Sequence, residues 1–104
     1  MDRETIEIAK RFAKRLRKFE PEKIILFGSR ARGTHFKHSD FDFIIVSKKF
    51  KNMHFLERCV KVYEYWNEPY DLEAICYTPE EFEKKLKEST FIRKAVREGK
   101  EINV

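Results

Sequence analysis

A chain of 104 residues with 39% charged and 41% hydrophobic side chains, ten of them phenylalanine, has the composition of one folded domain. That balance excludes a disordered segment, and no apolar run reaches membrane-spanning length. The net charge of +5 suits a phosphate-bearing ligand, yet no block of like charge reads as a nucleic-acid tail. Glutamine is absent and asparagine occurs three times, a bias expected of a hyperthermophile surface rich in ion pairs. Cys59 and Cys76 form no CxxC, and the N-terminus has no signal-peptide apolar core. Two buried thiols in a cytoplasmic protein are the expectation.

In chain order, residues 3–19 read as an amphipathic helix. Ile6, Ala9, Phe12, Ala13, Leu16 and Phe19 recur at three- and four-residue spacing, and Glu20-Pro21 stops the run. The apolar "KIILFG" reads as a strand covered on both faces, hence central in a sheet. Gly28-Ser29 turns the chain into "SRAR", a short helix that Gly33 breaks. "THFKHS" is a polar connection in which His35 and His38 are expected to be solvated. "DFDFIIVS" is a second strand.

Residues 49–66 predict a second long helix with two apolar stripes. One is Met53, Leu56, Val60 and Tyr63; the other is Phe55, Cys59, Val62 and Trp66. Two stripes are more than a surface helix needs. With Phe50 and Phe55 they suggest a partner surface, unless residues 89–98 cover them. His54 is expected on that helix's surface, and Trp66 and Tyr63 under the sheet rather than on a base. "YDLEAICY" is a third strand. Thr78-Pro79 opens a helix as N-cap and first-turn proline, and Ser89 caps a last helix that Gly99 ends. The fold class is α/β (α+β): helices on a small mixed sheet, one domain over residues 1–104.

Strand periodicity sets Asp40 and Asp42 on one face, about 6–7 Å apart, and Asp71 and Glu73 likewise. Each could be an ordinary strand-end residue satisfied by backbone N–H groups or an arginine. Paired carboxylates on one face repel, however, and a divalent cation is the usual remedy; Mg²⁺ favours aspartate, water and phosphate oxygens. Gly28-Ser29 ends a buried strand and opens a helix, where backbone N–H groups bind phosphate. Arg30 and Arg32 carry positive charge nearby.

"GSRARGTHFKHSDFDFIIV" resembles the signature of the DNA-polymerase-β-like nucleotidyltransferase superfamily: Gly-Ser, about ten residues, Asp-x-Asp, then an acidic residue on a later strand. Here ten residues, 30–39, separate Ser29 from Asp40. The length and "YDLEAICYTPEEFEKKL" resemble its minimal nucleotidyltransferase branch, so that residues 22–87 carry the likeness. The resemblance implies that Asp40, Asp42 and Asp71 are catalytic and hold two Mg²⁺ ions, with Glu73 the rival for the third position. It implies that Gly28 and Ser29, with Arg30 and Arg32, grip the triphosphate of ATP. It further implies transfer of AMP to an acceptor hydroxyl, a tyrosine of a helical HEPN-type toxin ribonuclease, so that the protein acts as antitoxin. A binding module that neutralises its partner by contact, or a transferase acting on a small molecule or RNA, are the alternatives. Nucleotide preference and oligomeric state are not legible.

Overall fold

A computed structural model of the protein describes residues 1–103. Helix α1 spans Arg3–Arg15 and tightens into a 3-10 turn over Leu16–Phe19. Strand β1 (Lys23–Phe27) leads into the single-turn helix α2 (Ser29–Arg32). Strand β2 (Phe41–Val46) is followed by helix α3 (Phe55–Tyr63), strand β3 (Leu72–Tyr77), helices α4 (Pro79–Glu88) and α5 (Thr90–Glu98), and the two-residue strand β4 (Lys100–Glu101). The sheet order is β3-β2-β1-β4, with β2 and β3 parallel and the other pairs antiparallel.

Both faces of the sheet are covered, which is why its strands are nearly continuous apolar runs. On one face Ile24, Leu26, Phe43 and Ile45 meet Phe12, Leu16 and Phe19 of the first helical segment. On the other, Ile25, Phe27, Ile44 and Val46 meet Phe82 of α4 and Ile92 and Ala95 of α5. Thr78 caps α4 in a reciprocal capping box with Glu81, with Pro79 at the first helical position. Ser89 caps α5 through the backbone N–H of Ile92. Gly99 is required where the chain turns into β4. A Cβ there would lie 2.6 Å from the Ala95 carbonyl oxygen and 2.8 Å from that of Leu26. That closeness lets β4 add to β1, a pairing that two residues of sequence cannot announce.

The expected helix over 49–66 is shorter than its pattern. Ser47 caps a 3-10 turn over Lys48–Phe50, Asn52 takes a left-handed conformation at φ 67°, and the helix restarts only when His54 caps it. Asparagine tolerates that conformation at small cost. Phe50 and Val62 therefore enter the core, and Trp66, beyond the helix end, packs against Phe12, Phe41 and Phe43.

Helix α3 runs along the open edge of β3. Tyr63 Oη donates to the Leu72 carbonyl, Cys59 Sγ to that of Ala74 at 3.6 Å, and Arg58 Nη1 to that of Cys76 at 3.1 Å. These three alternate carbonyls point away from β2, so side chains blunt an edge that could otherwise template another strand. Arg58 also forks onto Glu81, tying α3 to α4 and holding the Glu81 carboxyl below its ordinary range. Helix α5 packs on β1 and α4. Leu56, Val60 and Tyr63 remain exposed at 71%, 61% and 45%. Both cysteines are free thiols; Cys76 is buried, and burial pushes it up to about 12. No helix among the described residues is long and apolar enough to cross a membrane.

Candidate active site

Because β1 runs against β2 and β3, its C-terminal end lies beside their N-terminal ends. Phe27 is in register with Asp42, and Asp42 with Glu73. Asp40 and Asp71 each precede their strand by one residue, joined by the Phe41 N–H donating to the Asp71 carbonyl at 2.9 Å. Period two sets all four carboxylates toward the α4/α5 face. Asp42 is half-buried, while Asp40, Asp71 and Glu73 are exposed.

Asp42 is the electrostatic centre of this end. Burial, then the charges of Glu73 and Asp40, then a hydrogen bond with Glu73, push its carboxyl from 3.8 to about 6; Arg32 offsets part of the rise. A carboxylate in such company gains from any cation that enters.

The glycine beside it serves a purpose that its sequence does not disclose. Gly28 has φ +76°, and a Cβ built on it would lie 2.4 Å from Asp42 Oδ2. Gly28→Ala is therefore expected to cost about 1–3 kcal/mol from backbone strain and to displace the Asp42 carboxylate as well. Thermal unfolding reads the first effect, and weakened divalent-cation binding with the fold retained reads the second.

Gly28, Ser29, Arg32, Asp42 and Glu73 line one side of a cavity of about 450 Å³, within the range of small-ligand sites. No side chain caps the first turn of α2, so its leading N–H groups are not claimed by a local cap. Phe91, Lys94 and Glu98 of α5 line the opposite side. Arg32 Nη1 lies 3.5 Å from Glu98 Oε1 across the cavity, and both side chains are partly exposed.

Arg30, expected to contact phosphate, is elsewhere. It is 1% exposed, with its guanidinium 4.4 Å from the Phe41 ring centroid and 4.6 Å from that of Tyr70. It donates to the carbonyls of Ser39 and Lys37 and to Thr5 Oγ1, and Glu4 lies 3.8 Å away. Its side chain points inward and binds the connection that ends at Asp40. Of the two arginines, only Arg32 reaches the cavity. His35, expected in solvent, instead sets Nε2 2.6 Å from Asp2 Oδ2.

The three aspartates singled out in the sequence are not gathered as one set of ligands. Among the described residues no group of three or more His, Cys, Asp or Glu stands ready to hold a metal ion. The register instead makes a close pair, Asp42 and Glu73, with Asp40 beside Asp42. The pair fits Mg²⁺, which is commonly held by one or two carboxylates with water and substrate phosphate completing its shell.

A family profile described as "Nucleotidyltransferase domain" matches residues 6–101, nearly the whole chain. The chain belongs to the nucleotidyltransferase domain family. A solved Sulfolobus solfataricus protein, named for that activity as putative, is similar over 94% of this chain and 78% of its own, at 23% identity and TM-score 0.66. BolA1 from Arabidopsis thaliana is similar over 71% of this chain and 94% of its own, at 25% identity and TM-score 0.58. A toxin–antitoxin assembly solved with AMP-PNP is similar over 89% of this chain and 70% of its own, at 20% identity and TM-score 0.56. Curated protein sequences contain no match.

In this nucleotidyltransferase domain the family's mixed sheet and helices are present as expected, and Gly28, Ser29, Arg32 and Asp42 meet at one cavity. Glu73 also lines it and had stood second to Asp71 on sequence grounds. Both alternate onto the same face of "YDLEAICY", and only the β2–β3 register separates them. Phe91, Lys94 and Glu98 escaped the sequence reading altogether. Their signal was a three-, four- and seven-residue stripe in "FIRKAVRE", whose direction a lone helix does not reveal.

Proposed function

We propose that the protein moves a nucleoside monophosphate, AMP from ATP, onto an acceptor hydroxyl with release of pyrophosphate. The observation that carries this reading is Asp42. It is a half-buried carboxyl pushed to about 6, in register with Glu73, against a glycine turn and an open cavity. Asp42 and Glu73, with Asp40 beside them, would hold Mg²⁺. When bound, Mg²⁺ supplies positive charge that neutralises the triphosphate and the departing pyrophosphate. Ser29 and the N–H groups of the turn hold the β- and γ-phosphates. Arg32 exchanges Glu98 for phosphate, and its charge follows the leaving group.

The acceptor oxygen forms a bond to the α-phosphorus. The bond from that phosphorus to the oxygen bridging to the β-phosphate breaks, and pyrophosphate leaves with the electron pair. Asp71, exposed at the outer end of the cluster, takes the hydroxyl proton. On this assignment Glu73→Gln weakens Mg²⁺ binding about tenfold or more. Asp71→Asn leaves Mg²⁺ binding unchanged within about twofold and slows transfer about a hundredfold. Titration of Mg²⁺ by calorimetry, beside single-turnover rates, separates the two residues; the reverse pattern would return the third metal position to Asp71.

The acceptor in this reading is a tyrosine of a helical HEPN-type toxin, and the whole chain is its minimal antitoxin domain. Support comes from the exposed Leu56-Val60-Tyr63 stripe of α3, an apolar face suited to a helical partner. The toxin–antitoxin fold neighbour, solved with AMP-PNP, is consistent with it. The same stripe favours one alternative, neutralisation by contact alone, since it does not depend on the carboxylates.

The protein, α-labelled ATP, Mg²⁺ and the product of the adjacent gene, incubated together, decide between the readings. Label on that product, lost in Asp42→Asn, supports transfer to a protein. Tight binding without label supports contact alone. Label on RNA or on a small hydroxyl compound replaces the protein acceptor.

A further inference from the structure

Helix α5 presents Phe91, Lys94, Ala95 and Glu98 along one stripe to the cavity, facing Asp42 and Glu73. Ile92 and Ala95 anchor this helix on β1 and α4, so the stripe is held by core packing. Lys94 is exposed and makes no ion pair among the described residues, although Arg32 and Glu98 beside it pair with each other. Phe91 is 57% exposed, and its ring meets that of Phe27 edge to face, centroids 5.9 Å apart. A large aromatic with exposed ring surface at the wall of the cavity offers that surface to a flat ligand.

We infer that α5 is the nucleotide-specific wall of the site, with Lys94 neutralising phosphate and Phe91 stacking on the base. This rests on the nucleotidyltransferase reading above and deepens it. The carboxylate side of the cavity recognises metal and phosphate, neither of which distinguishes a nucleotide from inorganic triphosphate. Phe91 provides the missing distinction. Stacking has no hydrogen-bond code, so preference follows ring area, with purines above pyrimidines and little separation of adenine from guanine.

The test compares two probes, ATP and inorganic tripolyphosphate, each with Mg²⁺, by calorimetry on the full chain. The wild-type protein is expected to bind ATP about tenfold more tightly than tripolyphosphate, the scale of one base–aromatic stack. Phe91→Ala is expected to erase that advantage and leave tripolyphosphate affinity unchanged. Lys94→Ala is expected to weaken both probes, each by about tenfold. Phe91→Leu keeps the volume without the ring and serves if the alanine variant folds poorly; it too should lose the ATP advantage. Equal wild-type affinity for the two probes, or an ATP advantage that survives Phe91→Leu, overturns the stacking assignment. Unchanged binding in Lys94→Ala overturns the phosphate assignment. In all these cases the nucleotidyltransferase reading stands, because the wild type binds triphosphate. Wild-type protein that binds neither probe overturns both.

Discussion

Asp42→Asn is expected to lower nucleotidyl transfer by about a thousandfold or more and, at the same time, to make the metal-free protein more stable at pH 7.5. The first effect is the scale of losing a group that organises charge at the reacting phosphate. The second follows from the folded-state value of about 6 against an ordinary 3.8. The folded chain holds this proton more tightly than the unfolded chain does. Stability from Asp42 is therefore fully present below about pH 3.8 and is lost as pH rises through about 6. The separation would amount to about 3 kcal/mol at full weight, and half-exposure to solvent reduces it to about 1–2 kcal/mol. Asparagine carries no charge to repel Glu73 and Asp40, so it regains that amount at pH 7.5 and nothing near pH 3.5. Melting temperatures without metal should rise by several degrees at the higher pH and converge at the lower. A variant less stable than wild type at pH 7.5 would show that Asp42 is satisfied by the fold and needs no cation. Mg²⁺ should stabilise the wild type more at pH 7.5 than at pH 5, and stabilise Asp42→Asn little at either.

Arg30→Ala has the largest expected effect on the fold itself. The guanidinium fills the space between Phe41 and Tyr70 and supplies donors to two carbonyls and one hydroxyl. Truncation removes packing and leaves the buried Thr5 hydroxyl and two partly buried carbonyls without this donor. A loss of about 3–5 kcal/mol is expected, measured by denaturant unfolding. Arg30→Lys retains the charge but cannot fork or stack flat between the rings, and should recover less than half of the loss. Because Arg30 clamps residues 37–39, which lead into Asp40, the lysine variant should also slow transfer while leaving Mg²⁺ affinity largely intact. A lysine variant with wild-type stability would mean that the charge alone matters there and the planar geometry does not.

Strands β1, β2 and β3 and helices α1, α4 and α5 were legible along the chain because their signals are local, whereas the two-residue β4 was not. Apolar spacing, Thr78-Pro79, Ser89 and Gly99 act within a turn or two of where they sit. The likeness of "GSRARGTHFKHSDFDFIIV" to a nucleotidyltransferase signature was legible for a related reason. A glycine turn and alternating carboxylates impose their geometry within one hairpin. The break in residues 49–66 was not, since Asn52 in the left-handed region interrupts a helical pattern that the side chains alone continue.

By itself, then, the sequence determined three of the strands, the helices apart from the break after Phe50, the shared face of Asp40 and Asp42, and the family. Tertiary structure decided which carboxylate meets Asp42, which arginine faces the ligand and which helix closes the cavity. Strand register brings Glu73 level with Asp42, although Asp71 shares its face. The rings of Phe41 and Tyr70, far apart in sequence, draw Arg30 inward and leave Arg32 to the cavity. Packing of Ile92 and Ala95 against the sheet turns Phe91 and Lys94 toward the carboxylates. Each of these outcomes depends on contacts between residues distant along the chain, whose energies have no trace in local spacing.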